Sequence, residues 1–151
     1  SYRAESEGVF IAYTSVYGNT AAAAKELKAL LESKGCRVSS ADLAREDMAE
    51  AVEDAFRYDR IVLATTTYNA DIFPFMRTFI EALTERGFRN RTVGIIENGS
   101  WAPTAARVIR GMLEKSKDLK FAETTVQIKS ALNAESRAQL AALADEMQFR
   151  H

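Results

Sequence analysis

Between the apolar run Val9 to Tyr13 and a helical pattern lies a short segment, Thr14 to Thr20. It carries the hydroxyls of Ser15 and Thr20, the Asn19 amide and a glycine, Gly18. Such a loop can take an anion. Glycine lets the backbone come close, and the unpaired amides that open a helix, with its dipole, favour a phosphate. The segment has no Lys or Arg. A nucleoside-triphosphate loop requires a lysine after its glycines and a dinucleotide fingerprint requires three spaced glycines, and neither pattern is present. Ser15-Val16-Tyr17-Gly18-Asn19-Thr20 therefore suits one phosphate monoester held by neutral donors. An ordinary polar strand-to-helix turn is the simpler alternative.

Two further segments have the means to hold a planar ring. Thr66-Thr67-Tyr68-Asn69-Ala70, followed by Asp71, offers an aromatic that can stack and a backbone that can reach a heterocycle's edge. Such stacking contributes roughly 0.5 to 1.5 kcal/mol beyond area burial. Taken alone, Tyr68 reads equally well as a surface aromatic. Asn98-Gly99-Ser100-Trp101 holds the single tryptophan of the chain. An aromatic at a strand end is more often core than ligand contact; facing Tyr68 from a neighbouring strand end, it makes a second wall for a ring.

The elements that position these loops follow from hydrophobic periodicity. Val9 to Tyr13, Ile61 to Ala64, Val93 to Ile96 and Thr125 to Ile128 read as strands, with Arg37 to Ala41 a short second one. Between them run helical patterns: Ala23, Leu27, Leu30 and Leu31 on one stripe, closed at Gly35, then a second over Asp47 to Phe56. Pro74 and Gly87 bracket a third helix, Pro103 opens a fourth running to about Lys117, and Asn133 caps a last one with Leu140, Leu143 and Met147 as its stripe. Strands apolar on both faces that alternate with helices give an α/β fold with a parallel sheet between helix layers. The expected arrangement is a doubly wound five-stranded sheet of order 2-1-3-4-5, which binds ligands beyond the C-terminal strand ends. In that order strands 1, 3 and 4 are adjacent, so the three unusual loops meet at one place.

Several motifs in sequence order carry a family resemblance. Ser15-Val16-Tyr17-Gly18-Asn19-Thr20 resembles the phosphate loop of flavodoxins, Ser/Thr-x-Thr/Tyr-Gly-x-Thr, and Thr67-Tyr68-Asn69 resembles their ring-binding loop. More closely, Tyr13 to Thr20 and Gly94 to Pro103 resemble the C-terminal flavodoxin-like domain of A-type flavoproteins, the flavodiiron proteins. The resemblance implies FMN bound by Ser15, Val16, Tyr17, Gly18, Asn19, Thr20, Thr66, Thr67, Tyr68, Asn69, Ala70, Asn98, Gly99, Ser100 and Trp101. It also implies an electron-transfer module rather than a complete catalyst, serving a diiron metallo-β-lactamase-like domain that reduces oxygen or nitric oxide. The implied partners are that domain and an external redox donor such as rubredoxin or a reductase, with a homodimer as a further arrangement. One departure bears on redox behaviour. Asn69-Ala70 stands where glycine is frequent in the family, and alanine tolerates positive φ poorly, so the half-reduced flavin is expected to be less stabilised than in a glycine-bearing loop.

Size and charge bound the rest. At 151 residues, 47% hydrophobic and 27% charged, the chain has the composition of one globular domain. Residues 1–8 read as a leader or linker remnant and 9–151 as the FMN-binding domain. A net charge of -1 argues against nucleic acid and against long-range electrostatic steering. No apolar run approaches the roughly 18 residues that span a bilayer, and no targeting peptide is visible at the start, so no membrane partner and a cytoplasmic location are expected. The lone Cys36 reads as a buried structural thiol, and the one histidine, His151, cannot build a diiron site. Two competing readings share the fold. A stand-alone NAD(P)H-dependent quinone or flavin oxidoreductase requires a second substrate pocket, and no inserted loop supplies one. A phosphoacceptor receiver domain requires acidic residues after strand 1, where Ala12, Tyr13 and Thr14 stand.

Overall fold

The computed structural model describes residues 6–16, 18–68, 71–99, 104–129 and 131–149, and for Tyr68 the backbone alone. In chain order the elements are β1 (Ser6–Tyr13), α1 (Asn19–Ser33), β2 (Val38–Asp42), α2 (Met48–Arg57), β3 (Tyr58–Tyr68), β4 (Asp71–Ile72), α3 (Pro74–Glu85), β5 (Arg91–Asn98), α4 (Ala105–Met112), β6 (Leu119–Ile128) and α5 (Ala134–Met147).

Side chains alternate across a strand, and here both faces are apolar. Phe10, Ile61, Leu63, Val93 and Ile95 point into one core, closed by Val52 of α2, Phe79 and Ile80 of α3 and Ile109 of α4. Val9, Ile11, Val62, Ala64 and Ile96 point into the other, closed by Leu27 and Leu31 of α1 and Leu140 and Leu143 of α5. The result is a parallel sheet of order β2-β1-β3-β5-β6 with helices on both faces. This is the expected 2-1-3-4-5 order with one addition, β4, a two-residue strand that pairs antiparallel to the end of β3 through Thr67 and Tyr68.

Local signals set several element starts as read. Pro74 occupies the first turn of α3, Asp47 Oδ1 accepts the Ala49 amide ahead of α2, and Asn133 forms a capping box with Ser136 ahead of α5. Other boundaries moved. β1 starts at Ser6 rather than Val9, because Ser6 pairs with Tyr58 and the Gly8 amide donates to the buried Asp59 carboxylate at 3.0 Å. Residues 6–8, read as part of a leader or linker remnant, are thus paired in the sheet. α4 stops at Met112, well short of Lys117, and the turn after it is followed by positive φ at Asp118. β6 is longer than its apolar tail because it carries a bulge: the register passes from Val93↔Phe121 to Ile95↔Thr125. The bulge amides of Glu123 and Thr124 are taken by the two oxygens of Glu146 from α5, at 2.6 and 3.0 Å. Opposite the bulge, a side chain on Gly94 would stand 3.0 Å from Leu143 and 3.3 Å from Val62, so glycine there allows α5 to lie close on the sheet. The Cys36 thiol is half-buried rather than buried, 3.4 Å from the Gln148 carbonyl.

Candidate cofactor site

The parallel order brings the C-terminal ends of β1, β3 and β5 together, and polar side chains replace apolar ones at those ends. The alternation of each strand decides which way they face. Thr14 and Thr65 continue the rows of Phe10 and Leu63, and their hydroxyls meet at 2.7 Å, both buried. Thr66 turns to the opposite face, toward α1, where its hydroxyl lies 3.5 Å from that of the buried Thr20. Asn98 Nδ2 donates to Thr20 Oγ1 at 3.3 Å. Thr67 faces α4 and accepts the Thr104 amide at 3.4 Å. The Gly99 amide donates to the Ile128 carbonyl at 3.0 Å, tying the end of β5 to β6.

The first loop is organised by one side chain. Ser15 Oγ accepts the amides of Gly18 at 3.1 Å and Ala21 at 3.2 Å, so it caps α1 from four residues before the helix begins. A hydroxyl has two acceptor positions and one proton. With both acceptor positions filled by amides, Ser15 has a proton that no described residue accepts. Gly18 lies in the left-handed region (φ 87, ψ -13), which favours glycine, and a side chain built there would meet no atom within 4 Å. The glycine is required by the backbone turn, and the space beside it is open. Uncharged donors around an open helix start match an anion such as a terminal phosphate.

The structure therefore brings together Ser15, Gly18, Thr20, Thr66, Thr67, Asn98 and Gly99 at one edge of the sheet, with Val16 exposed and Asn19 starting α1 beside them. Tyr17, Asn69, Ala70, Ser100, Trp101 and the side chain of Tyr68 lie outside the described residues, as does the flavin-switch expectation at Asn69-Ala70. Three residues at this edge escaped the sequence reading, Thr65, Glu97 and Thr104, and Thr14 was read only as the start of the first loop. Thr104 Oγ1 is buried with no hydrogen-bond partner among the described residues, a state that costs free energy until a partner arrives. A run of three consecutive threonines closing an apolar strand was the available signal for Thr65. Nothing local distinguished Thr104.

Charge around the edge is modest. Tyr13 is held above its ordinary pKa by burial first, then by the Asp42 and Glu46 carboxylates. Asp71 is held below its ordinary value mainly by a hydrogen bond from Arg77, with the Ile72 amide adding to it. Phe75 is exposed and its ring lies 6.1 Å from that of Phe73, giving the start of α3 an apolar surface. Two surface clefts, of about 910 Å³ beside Cys36 and Arg60 and about 430 Å³ beside Phe88 and Lys115, lie at the other edge, where the strands begin. Neither is lined by a residue named above as a cofactor contact. Among the described residues no group of three His, Cys, Asp or Glu side chains could hold a metal ion.

Residues 11–141 match the flavodoxin family. The chain belongs to that family. FMN is the cofactor of flavodoxins, and the uncharged loop around Ser15 and Gly18 fits its phosphate. No curated protein sequence matches the chain. Among solved structures it is similar to rubredoxin oxygen:oxidoreductase from Desulfovibrio gigas (TM-score 0.89, 17% identity), over 97% of this chain and 36% of that one. It is similar to the flavodiiron protein of Giardia intestinalis (TM-score 0.86, 17% identity), again over 97% of this chain and 36% of that one. A flavodoxin from the domain Archaea matches over 95% of this chain and 96% of its own (TM-score 0.80, 14% identity). The chain thus spans little more than a third of the two longer proteins and nearly all of the short one. At these identities the likeness is one of fold.

Proposed function

We propose that this flavodoxin-family chain holds FMN at the C-terminal sheet edge and works as the electron-transfer module of a flavodiiron oxygen or nitric oxide reductase, whose diiron domain is a separate part of the parent protein. The carrying observation is the set of strand ends joined through Thr20, Thr66 and Asn98 around a lysine-free helix start whose Ser15 proton is uncommitted. In this reading Ser15, Gly18, Asn19, Thr20 and the first amides of α1 hold the phosphate. Thr66, Thr67, Tyr68 and the segment from Asn98 to Trp101 hold the ring. The flavin supplies one- and two-electron carriage. The chain supplies orientation, a dry floor of buried threonines and a fixed electrostatic surrounding, and no side chain acts as general acid or nucleophile.

The near-neutral charge supports a tethered role, in which effective concentration replaces long-range steering. A rubredoxin or reductase as donor, a homodimer and a cytoplasmic setting belong to the same reading; no helix among the described residues is long and apolar enough to cross a membrane. Titration of the apoprotein with FMN, followed by quenching of flavin fluorescence, tests cofactor binding. Rapid mixing of the loaded protein with NADPH or NADH tests the role: slow or absent bleaching is expected, whereas fast direct bleaching identifies a stand-alone oxidoreductase. The gene's reading frame is expected to encode a metallo-β-lactamase-like domain ahead of this chain.

A further inference from the structure

Glu97 is a carboxylate with 2% exposure at the penultimate position of β5. Charged side chains are rarely buried so far unless bonded. Its Oε1 accepts the Ala106 amide from the first turn of α4 at 3.3 Å, and its Oε2 accepts Nε2 of Gln127 on β6 at 3.2 Å. Both partners donate N–H, the pattern of an ionised, acceptor-only carboxylate. In the sheet register Glu97 stands between Thr65 on β3 and Gln127 on β6, one residue before Asn98. Together with the bond from the Thr104 amide to Thr67, it fixes the start of α4.

We infer that Glu97 is a positioning residue of the cofactor site, which sets the start of α4 and places a buried negative charge at the ring end, so that the site favours oxidised over reduced FMN. The inference rests on the FMN reading above. Reduction by dithionite, itself oxidised to sulfite, adds two electrons to the ring. Where one proton accompanies them, the ring gains one net negative charge. A fixed carboxylate nearby opposes that charge, and because it is buried, salt screens it weakly.

Glu97→Gln removes the charge and keeps an oxygen for the Ala106 amide, while the exposed Gln127 amide can rotate to present its own oxygen. The ratio of reduced to oxidised affinity should rise about tenfold, about 30 mV for a two-electron couple, and the rise should persist in about 0.5 M salt. Gln127→Lys, at an exposed position, pairs the carboxylate with a cation and is expected to move the ratio the same way; it carries the test if the first variant does not fold. An unchanged ratio in a folded Glu97→Gln protein, or a shift abolished by salt, overturns the inference. Wild-type apoprotein that fails to bind FMN overturns the cofactor reading instead.

Discussion

Replacing Ser15 with Asp should move stability and cofactor binding in opposite directions. Among the described residues Ser15 Oγ only accepts two amides, from Gly18 and Ala21. A carboxylate accepts both at least as well and also meets the positive end of the α1 dipole, an effect of about 0.3–1 kcal/mol. For a chain of this length that raises Tm by roughly 1–4 °C. The same substitution removes the hydroxyl proton available to the phosphate, about 1.5–3 kcal/mol for a bond to a charged group. It also sets a negative charge against the phosphate: at a separation of about 5 Å and an effective dielectric of about 20, repulsion is about 3 kcal/mol per unit charge. The sum exceeds about 4 kcal/mol, a loss of at least a thousandfold in FMN affinity. Calorimetry of the apoprotein and fluorescence titration measure the two effects. Riboflavin, which lacks the phosphate, serves as control and should bind both proteins within about threefold. Folded Ser15→Asp protein that binds FMN within tenfold of wild type would refute a phosphate at Ser15. So would a parallel loss of FMN and riboflavin.

Three further outcomes follow from the packing. Thr65→Val strands the buried Thr14 hydroxyl and should cost about 1–3 kcal/mol, and Thr14→Val should cost less because Thr65 Oγ1 still donates to the Thr66 carbonyl at 3.4 Å, whereas the double variant should be close to wild type, by urea unfolding in a double-mutant cycle. Gly94→Ala should destabilise by about 1–3 kcal/mol, because its new methyl group meets Leu143 and Val62 and forces α5 outward. The raised pKa of Tyr13 means that the folded state holds its proton more firmly than the unfolded chain does. The stability this confers is complete below the ordinary tyrosine value of about 10 and is lost as pH rises through the folded value. Tyr13→Phe should flatten that alkaline limb in a pH series of unfolding curves.

What could be read from the chain alone was whatever nearest neighbours decide. Asn133 caps its helix as read, since a cap depends on two or three adjacent residues. Pro74 opens α3 because its fixed φ and missing N–H are local properties. The fold class followed from strands apolar on both faces, which only a sheet covered on both sides can satisfy. Two of the boundaries that moved have remote partners. β1 reaches back to Ser6 through Asp59, and β6 absorbs a bulge through Glu146, a side chain on another element.

Within the site the same division holds. The residue types of the first loop, its glycine and its lack of a lysine are properties of the sequence, and they suit an uncharged anion cradle at a helix start. Their connection to the rest is tertiary. Thr14 meets Thr65 across 51 residues and Asn98 meets Thr20 across 78, pairings decided by strand register and by the face each residue takes. Glu97 was invisible for the same reason: a glutamate in a strand reads as solvent-facing until Ala106 and Gln127 are brought to its two oxygens. The sequence by itself determined the five parallel strands, the five helices between them and the residue types of the loop, because backbone propensity and capping act over a few residues. The tertiary structure decided which hydroxyls touch, that Ser15 accepts amides and so keeps its proton, and where a charge is buried, because those depend on register between strands far apart in the chain.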